Sequence, residues 1–277
     1  MKWTLLAAPL LFSGSVMAAQ LDAIRSCYEK PLPAPRVPET ELIVAIDQTT
    51  PLSPSLKQLV ADNVKSYLQP GHAFSIAVFS AYTQGRYTEV LASGRIEAPL
   101  EKAVRDDISK PVLAKFEQCL GRQPAQAMQV AGGALRAAFA ESSGSIAKSD
   151  VLASLKAVSA LAAESRSPQK IVLIVSDMLE NSTVANFYAE QGKAVRKIDA
   201  GKELRAVEDS KLLGNFGGAK VYVMGAGLLS ADAANAKAYR DPKTMQALAE
   251  FWSAYLRKSN AELVEFGQPA LLRPMRQ

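Results

Sequence analysis

The sequence predicts an α/β fold, a Rossmann-like three-layer sandwich with a mostly parallel central sheet, one antiparallel hairpin strand and helices on both faces. Two observations carry this. Leu42-Ile43-Val44-Ala45-Ile46 and Ile171-Val172-Leu173-Ile174-Val175 are unbroken, largely β-branched apolar runs, and an aspartate follows each closely, Asp47 and Asp177. Such runs are strands buried on both faces, as in a parallel sheet covered by helices. Between and after them, segments of strand and helix spacing alternate, the pattern of α/β layering.

The elements follow in order. Residues 1–18 read as an export signal: Lys2 gives a positive start, residues 5–12 an apolar core, and Val16-Met17-Ala18 a small-residue cleavage pattern, so the mature chain is expected to begin at Ala19. The alternative is a buried N-terminal helix. The apolar part is too short to span a membrane, and no later stretch approaches the roughly 20 apolar residues required. No cysteine follows the apolar core, so a lipid anchor is not expected. Residues 19–40 form a leader in which Pro31, Pro33, Pro35 and Pro38 favour an extended arm, and residues 41–277 form one domain.

After Asp47 comes a loop through Pro54, then a helix over about residues 55–68, ended by Gln69-Pro70-Gly71. Residues 73–80 and 87–93 are strands joined by a turn at Gln84-Gly85. Residues 97–120, broken or kinked near Pro111, and residues 125–141 have helical spacing, with Gly132-Gly133 marking a kink or close helix packing. A Ser-rich loop at 142–145 precedes an amphipathic helix over 150–163, and residues 170–175 are the second buried strand. Residues 181–216 read as a helix with a charged extension. Residues 219–224 form a further strand, and Gly225-Ala226-Gly227 a tight turn; as a dinucleotide fingerprint this is incomplete, since Ser230 stands where the third glycine belongs. Asp241 caps a helix to about residue 257 with Pro242 in its first turn, and residues 261–266 close the sheet. Tyr239, Phe251, Trp252 and Tyr255 recur at near-helical spacing, as a buried face or as an exposed recognition stripe.

With 48% hydrophobic and 21% charged residues the composition is that of an ordinary globular protein. The net charge of +5 is scattered, without basic clusters interleaved by aromatics, so nucleic-acid binding has little support. Cys27 and Cys119 are the two cysteines, and in an exported chain they are expected to pair; the alternative is two separate thiols. His72 is the one histidine and follows a turn glycine, which places it in a loop or on the surface and removes a Ser-His-Asp arrangement.

Asp47-Gln48-Thr49 after the first strand, the helix and hairpin that follow, the Ser-rich loop and Ser176-Asp177 together resemble, in this order, the von Willebrand factor A domain. The resemblance implies a metal-ion-dependent adhesion site, which in that family combines Asp-x-Ser-x-Ser, a Thr or Ser from a middle loop and an Asp after the fourth strand. Asp47 and Thr49 match the first two ligand positions, Ser149 or Ser145 the middle loop, and Asp177 the late strand. Pro51 stands where the family has a further hydroxyl, so the site is degenerate. Every candidate ligand is an oxygen, which suits Mg²⁺ or Mn²⁺. An open coordination position would take a carboxylate from another envelope or secreted protein. Without a metal, the same residues would cap helices and tie loops. The function expected is therefore that of a periplasmic or secreted binding or scaffold protein. The alternative is a periplasmic Mg²⁺-dependent phosphoester hydrolase using Asp47. Asp47-Gln48-Thr49-Thr50 resembles the nucleophile motif of haloacid-dehalogenase-like phosphatases, but Thr49 stands where that motif needs a second aspartate. The charged stretch 193–211 is a solvated helix or loop, or the part that selects a partner.

The export signal gives a direct test: the intact mass of the exported protein should correspond to a chain starting at Ala19, and retention of Met1 on an exported chain would overturn this reading.

Overall fold

The computed structural model describes residues 21–50, 52–80, 88–140, 150–190, 194–229 and 241–275. The export signal, Pro51, the turn at 84–85, the Ser-rich loop with Ser145, Ser149 and Tyr239 lie outside the described residues.

The chain runs β1 (Thr40–Asp47), α1 (Pro54–Tyr67), β2 (His72–Phe79), β3 (Glu89–Arg95), α2 (Lys102–Asp106), α3 (Lys110–Leu120), α4 (Gln123–Ala140), α5 (Val151–Glu164), β4 (Gln169–Val175), β5 (Tyr188–Ala189), β6 (Ala194–Val195), α6 (Ala200–Asp209), β7 (Ala219–Met224), α7 (Pro242–Lys258) and β8 (Ala261–Phe266). Six strands form one sheet in the order β3-β2-β1-β4-β7-β8, with β5 and β6 a separate small hairpin. Every pairing in the large sheet is parallel except β2 with β3. This is an α/β sandwich consistent with a von Willebrand factor A-like fold.

The two apolar runs are continuous because each strand feeds two cores, successive side chains pointing to opposite faces. Leu42, Val44 and Ile46, with Ile171, Leu173 and Val175, pack under α1 and α4. Ile43 and Ala45, with Val172 and Ile174, pack under α5, α6 and α7. The inner stripe of α4 is Ala127, Ala131, Ala134 and Ala138, small enough to bring that helix close to the sheet. Phe251, Trp252 and Tyr255 are the buried face of α7, with no exposed surface.

The break expected near Pro111 is present: α2 ends at Asp106, and Pro111 lies in the first turn of α3, where a missing N–H costs nothing. Three expectations change. α4 runs unbroken through Gly132 and Gly133, and neither marks close helix packing, because an added Cβ would meet only the Arg136 guanidinium, at 3.4 and 4.0 Å. Among the described residues of 181–216 the α-helix is α6, capped by Asp199, whose Oδ1 accepts from Lys202 N–H at 3.0 Å. The preceding stretch is a loop and hairpin because Phe187 is drawn fully into the core, edge-on to Phe251 at 5.0 Å, and tertiary packing overrides local helical preference. His72 is neither in a loop nor exposed: it opens β2, is 7% exposed, and its Nδ1 lies 3.0 Å from the Tyr67 carbonyl.

The leader is strapped to the body. Ala23 N–H donates to the Ser93 carbonyl at 3.0 Å, and Ile24 is buried beneath the β3 edge, where Gly94 leaves it room. Cys27 and Cys119 form a disulfide closing a loop 92 residues apart in sequence. Beside it, the buried Glu97 accepts from Ser26 Oγ, Cys27 N–H and Gln123 Nε2 at 2.5, 2.8 and 3.1 Å. Closing a loop of that length lowers unfolded-chain entropy by an amount worth about 4–5 kcal/mol, an upper figure. Replacing both cysteines by serine should therefore lower stability by about 2–4 kcal/mol in chemical denaturation. An unchanged midpoint would show that the leader does not depend on the bridge.

Candidate functional site

The sheet grows outward in both directions from β1 and β4, so its order reverses between them, and the crevice past the carboxyl ends of such a pair is where open α/β sheets bind ligands. In register, Ile46 faces Val175, which places Asp47 beside Ser176 at that edge. The structure thus brings Asp47 and Asp177 together, both buried, at 1% and 4% exposure.

Each carboxylate is held by neighbouring donors. Thr49 N–H and Oγ1 donate to Asp47 Oδ1 at 2.8 and 2.5 Å, and Ser176 Oγ donates to Oδ2 at 2.7 Å. Leu179 N–H donates to Asp177 Oδ1 at 2.8 Å, and Tyr188 OH to Oδ2 at 3.0 Å. Asp177 N–H in turn donates to Thr50 Oγ1 at 3.1 Å, stitching the β1 and β4 loops together. Met178 turns the chain between them at φ 60°, a left-handed conformation that costs a non-glycine residue about 1–2 kcal/mol. Its carbonyl is fixed by Trp252 Nε1 at 2.9 Å and its N–H by Ser176 Oγ at 3.0 Å. The turn after β7 completes the rim. Gly225, at φ 103°, passes so near Ser176 that a Cβ would lie 2.9 Å from its carbonyl oxygen, and Gly227 N–H donates to the Asp177 carbonyl at 2.9 Å.

Burial raises the pKa of both aspartates; Thr49 and Ser176 pull Asp47 back down, while the negative charge of Asp47 pushes Asp177 higher still. Glu180 lies deeper. Its Oε2 accepts from Leu152 N–H at 2.8 Å in the first turn of α5, and its Oε1 has no partner among the described residues. Burial pushes its carboxyl up to about 8. Neither Asp177 nor Glu180 belongs to a described ion pair.

These residues fit a hard cation. Asp47, Thr49 and Asp177 supply oxygen only, and two buried carboxylates, one raising the other, are the condition that a divalent cation relieves. A carboxylate has about four lone-pair sites, and the Leu179 and Tyr188 bonds leave Asp177 with coordinating capacity. Ser145 and Ser149 lie outside the described residues, and no cluster of three His, Cys, Asp or Glu side chains suited to a metal exists among the described ones. His72 sits at the opposite, amino end of the sheet. Nothing in the sequence points to Tyr188 or Glu180 as site residues, and Trp252 meets the site from the buried face of α7, not from an exposed stripe. Tyr188 falls in a stretch with helix-like charge spacing, and nothing local ties a tyrosine to an aspartate eleven positions earlier.

In the absence of divalent cations, Glu180 should make stability fall as pH rises. Its folded pKa lies above its unfolded value near 4.5, so the folded state holds the extra proton between about 4.5 and about 8, and the stabilisation present below that window is lost through it. Denaturation midpoints should fall from pH 5 to pH 8 in the wild type and fall less in Glu180→Gln; equal slopes would refute a buried, proton-holding Glu180.

No protein-family model matches the chain, and no curated protein matches it in sequence. Among solved structures it is similar to an aerotolerance-related membrane protein from Bacteroides fragilis, at 10% identity over 83% of this chain and 92% of the other, with a TM-score of 0.32. It is also similar to the conserved hypothetical protein BatB from Bacteroides thetaiotaomicron, at 15% identity over 82% and 90%, with a TM-score of 0.32. A third is the pilus adhesin SpaC from Lactobacillus rhamnosus GG, at 15% identity over 81% of this chain and 31% of that one, with a TM-score of 0.36. Likeness at these identities and scores assigns neither a family nor an activity.

Proposed function

We propose that this chain is an exported binding or scaffold protein of the cell envelope, with a degenerate adhesion site in which Asp47, Thr49 and Asp177, together with Ser149 or Ser145, hold Mg²⁺ or Mn²⁺ weakly. The partner is another envelope or secreted protein. The observation that carries the reading is the meeting of two buried aspartates from distant strands at the point where the sheet order reverses. A bound cation would supply a positive centre able to accept a partner's carboxylate. The chain's own residues do the positioning: Thr49 and Ser176 orient Asp47, Leu179 and Tyr188 orient Asp177, and Trp252 fixes the turn that carries Asp177. The Cys27–Cys119 bridge fits an oxidising compartment, and no helix among the described residues is long and apolar enough to cross a membrane.

Hydrolysis with Asp47 as nucleophile has less support. Thr49 stands where the phosphatase motif needs a second aspartate, and it donates its N–H and Oγ1 to Asp47 Oδ1.

Millimolar Mg²⁺ or Mn²⁺ should raise the thermal midpoint, by the equivalent of about 1.4 kcal/mol at ten times Kd, and Asp47→Ala should abolish the rise. Capture of a partner from envelope extract should weaken with chelator and in the variant. Absence of any metal response would overturn the cation; Mg²⁺-dependent phosphatase turnover lost in Asp47→Asn would favour the hydrolase.

A further inference from the structure

The leader and α3 enclose a cleft of about 470 Å³ over the Cys27–Cys119 bridge. Its floor is apolar, with Phe116 2% exposed and Leu32 half-buried. Its rim carries four cations, Arg25, Lys30, Lys115 and Arg122, against a single carboxylate, Glu29. That carboxylate is already engaged: Glu29 accepts from Lys115 Nζ at 2.8 Å and from Arg25 Nη2 at 3.3 Å. Lys30 and Arg122 have no acidic partner among the described residues. Gln118 and Gln126 add side-chain amides that can both donate and accept. The walls are preorganised, because the disulfide and the Glu97 bonds to Ser26 and Cys27 hold the leader in place before any ligand arrives.

We propose that this cleft binds an acidic peptide segment of a partner protein, its carboxylates paired with Lys30 and Arg122 and an apolar side chain resting on Leu32 and Phe116. A positive rim around an apolar floor is complementary to a chain that alternates the two chemistries, and the glutamine amides suit its backbone. An anionic membrane fits less well. Membrane-facing surfaces push apolar side chains outward among their cations, whereas here the apolar groups are recessed, and none of the large exposed hydrophobic residues lines the cleft. The site is independent of the Asp47 rim. Residues 96–97 follow β3 at the amino end of the parallel strands, as the pairing of Ala73 with Arg95 shows, and the Glu97 tie fastens the cleft near that end; Asp47 lies at the other.

The test is fluorescence anisotropy of the exported, oxidised protein with a labelled peptide of alternating glutamate and phenylalanine. Saturable binding should appear at low salt, weaken at high salt, and be absent for the peptide with glutamine in place of glutamate. The double variant Lys30→Glu/Arg122→Glu should bind about tenfold more weakly or worse with an unchanged thermal midpoint, since both side chains are exposed. Asp47→Ala should bind like the wild type, which separates this site from the proposed cation site. Equal affinity of the charge-reversed variant, no binding at low salt, or sedimentation with phosphatidylglycerol vesicles in place of peptide binding would each overturn the proposal.

Discussion

The parallel pairing of β1 with β4 is the constraint on which the rest of the molecule depends. It aligns two strands separated by more than a hundred residues so that Asp47 comes beside Ser176, and it makes this seam the point from which the sheet extends in both directions. Each strand of the pair is apolar on both faces, so a slip of one residue would exchange the side chains of the two cores. The register therefore has two independent reasons to hold, one for the core under α1 and α4, the other for the core under α5 and α7.

At the carboxyl end of that seam, the fold tolerates three buried acids at a cost. An isolated charge there would be prohibitive, and the structure answers with aimed donors: two from Thr49, one from Ser176, one from Leu179 and one from Tyr188. Glu180 accepts the Leu152 N–H at the start of α5, and its other oxygen has no hydrogen-bond partner among the described residues. Hydrogen bonds alone could close the β1 and β4 loops with neutral side chains, whereas paired buried carboxylates retain a preference for a proton or a cation.

The amino end has the opposite character. There the leader is fastened by one covalent bond and by the Glu97 carboxylate, which gathers Ser26, Cys27 and Gln123 around itself. The result is a cationic cleft on a fixed frame, far along the sheet from the acidic rim. The two ends share no residues, so each can be altered without disturbing the other.

Much of this was legible in the chain alone. Strand positions followed from continuous β-branched runs, α7 from Asp241 and Pro242 at its start, and the disulfide from there being two cysteines in a sequence that reads as exported, because each rests on local chemistry or on counting. The placement of Asp47 and Asp177 at strand ends was equally local. Tertiary structure alone decided what surrounds them. Tyr188 reaches Asp177 because its neighbour Phe187 is pulled into the core, which unmakes the helix that the charge spacing suggested; Trp252 holds Met178 because α7 packs its buried face beside the end of β4; His72 is buried because the end of α1 folds back over it. Local periodicity reports which face of an element is apolar, but the partners of a buried polar group are set by which distant backbone the core brings within hydrogen-bond reach.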